Sequence, residues 1–228
     1  WPRCSTTPAA LTLTNRSWYP SPSTSSTSTS VAEEELLHEV SNGQESSDED
    51  AHHHDAIDPH LWISPTISIK LAKSIKESLI ERDPSNEATY TKNFESLQAD
   101  LEELDAKFQE MANGSTNKTF FVSHAAFGYL AGAYGLHQVA IAGLNSQDEP
   151  SQKELTKIVE QAKAKQINTI LFEQNVSSNL AKVIQAEVGA KAGILHNLSV
   201  LTEEDVKNEE TYITLMEKNI ITLKKALK

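Results

Sequence analysis

Hydrophobic residues recur at helical spacing over two long stretches in the middle of the chain. Ile67, Leu71, Ile75 and Leu79 lie four residues apart. They predict a helix that Ser64 caps, that begins at Pro65, and that ends before Asp83-Pro84. A second, longer helix is predicted from Ser85 or Asn86 to Asn113-Gly114. Its apolar residues alternate steps of three and four, and they are Phe94, Leu97, Leu101, Leu104, Phe108 and Met111. This stripe favours a long helix along a globular body over a coiled coil.

From Lys118 onward, short apolar runs alternate with helical patterns. Strands are predicted at 119–123, 138–142, 168–172 and 191–195. Helices are predicted at 125–134, 151–165, 177–188 and 211–227, the second of them opening with a capping box from Ser151 to Glu154. Such alternation predicts an α/β fold in which a parallel sheet has helices on both faces. Ligands of such sheets bind at the carboxyl ends of the strands.

Polar residues that follow the predicted strands are therefore candidates for a site. His124 comes just after the first strand, Glu173 after the third, and His196 with Ser199 after the fourth. Structural roles are the alternatives: a core histidine for His124, a cap of the next helix for Glu173, and a polar edge residue for His196.

Ahead of the first helix, residues 50–62 combine acids with four of the eight histidines. Neutral imidazole and carboxylate are ligands that zinc and its neighbours accept. His52, His53 and His54 follow an acidic segment and are expected on a mobile loop that gathers cations loosely; a fragment of an affinity tag is the alternative. His60 follows Pro59 and precedes an apolar run, so it is expected to be held in place.

Composition and net charge limit the partners and the metal ligands that the chain can have. The chain has 228 residues, of which 38% are hydrophobic, so a sizeable core is expected. A formal charge of −12 argues against nucleic acid and anionic membranes as partners, and it suits a cation. Cys4 is the only cysteine. A metal site must therefore be built from His, Asp and Glu.

The first part of the chain differs from the rest. Residues 1–32 are rich in Ser and Thr and contain no acid, so disorder is expected there. Residues 33–58 are acidic and contain neither Lys nor Arg. The break between the two segments indicates either a linker boundary or sequence from another reading frame or an unrelated fusion.

Four motifs together resemble the metal-binding lipoproteins of bacterial ABC importers, specifically the zinc-binding branch. They are Asp58-Pro59-His60-Leu61-Trp62, the run 123–130 with Tyr134-Gly135-Leu136, Asp148-Glu149-Pro150-Ser151, and Phe172-Glu173-Gln174-Asn175. The resemblance covers roughly residues 50–228. It implies two α/β lobes joined by one long helix, with the metal between the lobes. Accordingly, 59–84 would be a remnant of the first lobe, 85–113 the linker helix, and 118–228 the second lobe.

The resemblance also implies ligands and partners. His60 and His124 would be metal ligands, and a histidine at the latter position favours Zn²⁺ over Mn²⁺ as the transported ion. An extracytoplasmic protein, periplasmic or lipid-anchored at the cell surface, would deliver the ion to an ABC permease in the membrane. The family's last ligand is a carboxylate, which aligns with Ser199 here. Glu203 is the preferred substitute, with Glu204, Asp205 and His196 also near in sequence.

Most of the family's first lobe has no counterpart ahead of the acidic loop, so alternatives to transport remain open. One is a truncated, inactive fragment or a surface adhesin of the same fold. Another is a zinc hydrolase, because few protein ligands plus water also describe a catalytic site. No HExxH-like pair is present and Glu173 is the only candidate base, so we expect a binding protein that is not an enzyme.

Overall fold

A computed structural model describes residues 57–144, 150–174 and 178–228. The predictions for 1–32 and for most of the acidic loop, including His52, His53 and His54, lie outside these residues. Within them, the two long helices are confirmed as α1 (Pro65–Arg82) and α2 (Glu87–Gly114), each preceded by a short 3-10 turn, Leu61–Ile63 and Pro84–Asn86. Ser64 occupies the predicted cap position of α1, but its hydroxyl bonds to Thr66 instead of a backbone amide.

The alternating region forms the predicted parallel sheet. In chain order the elements are β1 (Thr119–His124), α3 (Gly128–Ala133), β2 (His137–Ala142), α4 (Gln152–Ala164), β3 (Thr169–Phe172), α5 (Asn179–Val188), β4 (Lys191–Ile194), α6 (Glu203–Lys207) and α7 (Tyr212–Ala226). All strand pairs are parallel, in the order β2-β1-β3-β4. The capping box at Ser151 is confirmed. The short helix α6 was not predicted from the sequence.

Successive residues of the central strands point to opposite faces of the sheet, which gives two cores. Val122 and Leu171 belong to one core, where residues of α2, α3 and α7 pack, among them Phe108, Leu130 and Met216. Phe121 and Ile170 belong to the other, under α4 and α5. Both faces of the sheet are therefore covered, as predicted.

The α2 helix joins this body along its carboxyl-terminal half. Leu101, Leu104, Phe108 and Met111 are buried, whereas Leu97 is 43% exposed. Ile63, in the 3-10 turn before α1, is fully buried in the same core as Phe108. The segment around His60 is thereby packed against the α/β body. Among the helices of the described residues, none has the length and hydropathy of a membrane span.

Candidate metal centre

The ends of three strands bring polar side chains together at the carboxyl edge of the sheet. His124 is the last residue of β1, Glu173 directly follows β3, and Asn197 lies in the loop after β4. All three are buried. Because β1, β3 and β4 are adjacent and parallel, their carboxyl ends meet at one edge of the sheet. This is the edge at which parallel α/β sheets bind their ligands.

His60 reaches the same edge from a different part of the chain. It precedes the 3-10 turn Leu61–Ile63 and is 8% exposed. Asp58 holds it twice, since Asp58 Oδ1 accepts a hydrogen bond from the His60 backbone amide at 2.9 Å and lies 2.7 Å from Nδ1. The Tyr129 hydroxyl in turn donates to the carbonyl of Asp58 at 2.9 Å. The ring therefore has a fixed orientation.

The two predicted histidine ligands lie side by side. The ring centroids of His60 and His124 are 5.1 Å apart, and the ring planes meet at 76°. This is the central feature of the site, because two buried imidazoles from separate segments converge on one small volume. Trp62 flanks His60 with a ring centroid distance of 5.5 Å.

His124 contacts an acceptor through each ring nitrogen. Nδ1 lies 2.6 Å from Oε1 of Glu173, and Nε2 lies 2.8 Å from the carbonyl oxygen of Leu144. A carbonyl only accepts, so Nε2 carries a hydrogen in this arrangement. Burial by itself lowers the pKa of His124, but the hydrogen bonds to Glu173 and Leu144, with the charges of Glu173 and Asp58, raise it to a greater extent. His124 therefore holds its proton more firmly than a free histidine would.

The arrangement suits a metal ion chemically. Each Nδ1 faces a carboxylate, Asp58 for His60 and Glu173 for His124. Carboxylates in this position orient metal-binding imidazoles and increase their basicity. Nε2 of each ring is then the nitrogen that would coordinate. On His124 the ion would replace the Nε2 proton that is now donated to the carbonyl oxygen of Leu144.

The remaining candidates lie apart from this pair or are already bonded. Glu203 is exposed in the first turn of α6. Both ring nitrogens of the buried His196 are engaged: Leu198 N donates to Nδ1 at 2.9 Å, and Nε2 lies 3.3 Å from Asp205 Oδ2. Metal binding by His196 would break one of these bonds. Within the described residues no group of three or more His, Cys, Asp or Glu could hold a metal ion.

Ser199, at the position expected for the last ligand, donates through its hydroxyl to Asn197 Oδ1 at 2.7 Å. Sequence reasoning did not select Asp58 or Asn197 as site residues. Asp58 could have been found, because an acid two residues before a histidine can bond to both its backbone and its ring. No sequence pattern indicates Asn197, which reaches Glu173 only through the adjacency of β3 and β4.

Comparison with known proteins identifies relatives of this chain. The model of the family described as zinc-uptake complex component A, periplasmic, matches residues 11–226. The zinc-binding lipoprotein AdcA of Streptococcus pneumoniae is 42% identical over 186 residues, which is 82% of this chain and 37% of the relative. The chain thus spans little more than a third of that relative's length.

Solved structures of other proteins have a fold similar to that of this chain. A Zn(II)-bound variant of AdcAII from Streptococcus pneumoniae superimposes with a TM-score of 0.68 at 35% identity, over 75% of this chain and 61% of that one. A laminin-binding adhesin from Streptococcus agalactiae gives a TM-score of 0.71 at 30% identity, over 80% of this chain and 68% of that one.

Proposed function

Because the chain belongs to the family of the periplasmic zinc-uptake complex component A, we propose that it binds Zn²⁺ through His60 and His124. The observation that carries this proposal is the convergence of the two buried rings, 5.1 Å apart, each with a carboxylate at Nδ1. Imidazole is a preferred ligand of zinc, and a carboxylate behind it is the usual outer support.

The ion is the cargo of an ABC importer. In this role the protein captures Zn²⁺ outside the cytoplasm, as a periplasmic or lipid-anchored component, and delivers it to a membrane permease. The names of the family and of the lipoprotein relative support this role. A site for cargo must also release the ion. When the ion leaves, His124 Nε2 can take up a proton and donate it to the carbonyl of Leu144. A site of two such imidazoles suits reversible binding better than a closed four-ligand structural site does.

Binding, not catalysis, is the function we assign. In a zinc hydrolase a carboxylate would act as base on a metal-bound water. Glu173 is committed to His124 and Asn197, and Asp58 to His60. Both carboxylates thus orient ligands, and neither is placed as a base.

Adhesion is the second candidate, favoured by the structural similarity to a laminin-binding adhesin. Adhesion would use exposed surface, whereas the proposed zinc site uses the buried histidine pair. Immobilised laminin distinguishes the two, because binding that His60→Ala and His124→Ala leave unchanged would support an adhesive role independent of zinc.

Isothermal titration of the full chain with Zn²⁺ tests the main proposal. His60→Ala and His124→Ala should each weaken the tightest step by about ten-fold or more. His137→Ala is the matched control, because that histidine is exposed at the opposite end of the sheet, and it should leave this step unchanged. If His124→Ala binds as tightly as the parent, His124 has only a structural role and the proposed site is wrong.

A further inference from the structure

Asn197 is hydrogen-bonded to one residue beside each histidine, namely Glu173 beside His124 and Trp62 beside His60. Its side-chain Nδ2 donates a short hydrogen bond to Oε2 of Glu173, whose other oxygen lies 2.6 Å from His124 Nδ1. Its main-chain carbonyl accepts a hydrogen bond from Nε1 of Trp62 at 2.9 Å. Asn197 is 7% exposed, so these bonds form in a buried setting where loss of a partner is costly.

The orientation of the Asn197 amide is determined by its neighbours. Oδ1 accepts from three donors: the backbone amide of Ser199 at 3.1 Å, the Ser199 hydroxyl at 2.7 Å and Nε2 of Gln174 at 3.1 Å. The opposite orientation would place the NH₂ group against the Ser199 amide and the oxygen against the Glu173 carboxylate. Nδ2 therefore faces Glu173, and this contact fixes one carboxylate oxygen while the other stays on His124.

The loop that carries Asn197 is itself anchored by α7. Asn219 of α7, which is 2% exposed, accepts from His196 N at 2.7 Å and donates to His196 O at 2.8 Å. Leu198 then turns with φ +58°, and its amide donates to His196 Nδ1. Asn197 is thus held between two fixed neighbours, so it provides a rigid point of attachment.

The contact with Trp62 extends this attachment to His60. Trp62 lies in the 3-10 turn that follows His60, and its ring stands 5.5 Å from the imidazole. The Trp62 carbonyl also accepts from the Tyr212 hydroxyl of α7 at 2.9 Å. The segment that carries His60 is therefore tied to the β4 loop and α7 by bonds that do not involve the metal-binding nitrogens.

From these contacts we propose that Asn197 is a positioning residue of the metal centre, setting the distance between the two imidazoles. Its side chain aligns Glu173 and, through it, His124. Its carbonyl holds the His60 segment through Trp62. This role rests on the proposed zinc binding at the pair, and it adds a residue that acts through Glu173 and Trp62 instead of as a ligand. Preorganisation of this kind lowers the cost of ordering ligands when the ion binds.

Variants of the full chain separate the two attachments. Asn197→Ala removes the donor to Glu173, and Asn197→Asp also sets a second carboxylate against it; neither alters the carbonyl that Trp62 uses. Trp62→Phe removes the indole donor and part of the ring, and it leaves the Asn197 side chain unchanged. Asn168→Ala is the matched control, because it makes the same substitution at an exposed residue directly before β3, at the opposite edge of the sheet.

Two measurements are made on each variant. Titration with Zn²⁺ should show that Asn197→Ala weakens binding about ten-fold, the lower end of the range for outer partners of metal ligands. Proton NMR of the metal-free protein should show a downfield, slowly exchanging Nδ1 proton of His124, because the nitrogen lies 2.6 Å from a buried carboxylate. Asn197→Ala should weaken this resonance. Trp62→Phe should lower zinc affinity but keep the resonance, and Asn168→Ala should change neither by more than about two-fold.

The proposal is overturned if Asn197→Ala retains both the zinc affinity and the His124 resonance of the parent. Thermal midpoints identify a variant that fails to fold; should Asn197→Asp do so, Asn197→Ala, which adds no charge, decides the question. If the parent shows no His124-dependent zinc binding, the proposed function fails. The Nδ1 resonance still decides whether Asn197 positions His124, because it is measured without metal.

Discussion

Nδ1 of His124 lies 2.6 Å from Oε1 of Glu173, a contact between the end of one central strand and the end of its neighbour. The same pattern holds Nδ1 of His60 against Asp58 at 2.7 Å. Both rings are therefore supported on one side by a carboxylate.

Zinc should be preferred over manganese. The two ligands that the structure brings together are imidazoles, which favour zinc, whereas manganese prefers oxygen ligands. Competition calorimetry with Zn²⁺ and Mn²⁺ on the full chain measures the preference. Equal or reversed affinities would contradict the role of His124 as the residue that selects zinc.

Metal affinity and metal-free stability should depend on pH in opposite directions. The raised pKa of His124 means that its contribution to stability is fully present below the unfolded value of 6.5 and is lost as the pH rises through the folded pKa. The metal-free protein should thus melt at a lower temperature as the pH rises from about 6 to 8. Zinc must displace the same proton, so its affinity should rise over that window.

Glu173→Gln is the control for this dependence. The amide keeps the shape of the side chain but removes the negative charge that holds the proton on His124, so the pH profile of zinc binding should move to lower pH. Calorimetry in buffers with different ionisation enthalpies should also show less proton release on binding. An unchanged profile would indicate that Glu173 does not act on His124 in solution.

Deletion of residues 45–54 should leave the tightest zinc-binding step nearly unchanged. His52, His53 and His54 lie in an acidic segment, whereas His60 and His124 are buried among fixed partners. Weaker, additional binding steps should disappear from the titration. A large loss in the tightest step would place the main site on that segment.

Gly128→Ala should weaken zinc binding without unfolding the protein. A Cβ at this position would lie 3.2 Å from Asp58 Oδ2, which is tighter than ordinary contact. Asp58 must then shift from His60, and we expect a loss of affinity of about ten-fold. Gly132→Ala in the same helix is the control, because a Cβ there meets nothing within 4 Å. Equal affinities in both variants would show that Asp58 does not need its present position.

Gly193→Ala should destabilise the fold by about 1–3 kcal/mol through overpacking. A Cβ on this β4 residue would lie 2.8 Å from Cδ2 of Leu171 and 3.2 Å from Cγ2 of Thr169. Leu171 is 1% exposed, so it has little room to move. Urea unfolding measures the change, with Gly132→Ala again as control. A loss below about 0.5 kcal/mol would show that the sheet and α7 relax readily around the added methyl group.

Local and periodic features of this fold were determined by the sequence alone. The apolar stripe of α2, the capping box at Ser151 and the alternation of strands and helices each depend on residues close together in the chain, so their patterns predict them directly. Parallel topology follows from that alternation, and it places His124 and Glu173 at one edge. His60 was selected by its motif.

Tertiary structure alone decided which side chains meet. That His60 stands against His124 and that Asn197 bonds Glu173 both depend on contacts between segments far apart in the chain. His196 is engaged by Leu198 in its own loop and by Asp205 of the next helix. The side chain of Ser64 bonds Thr66 instead of capping α1, and α6 carries Glu203 to an exposed position. The physical reason is that a polar side chain forms hydrogen bonds with the groups that the packed backbone brings within reach. The pattern of residue types along the chain does not specify which groups those are.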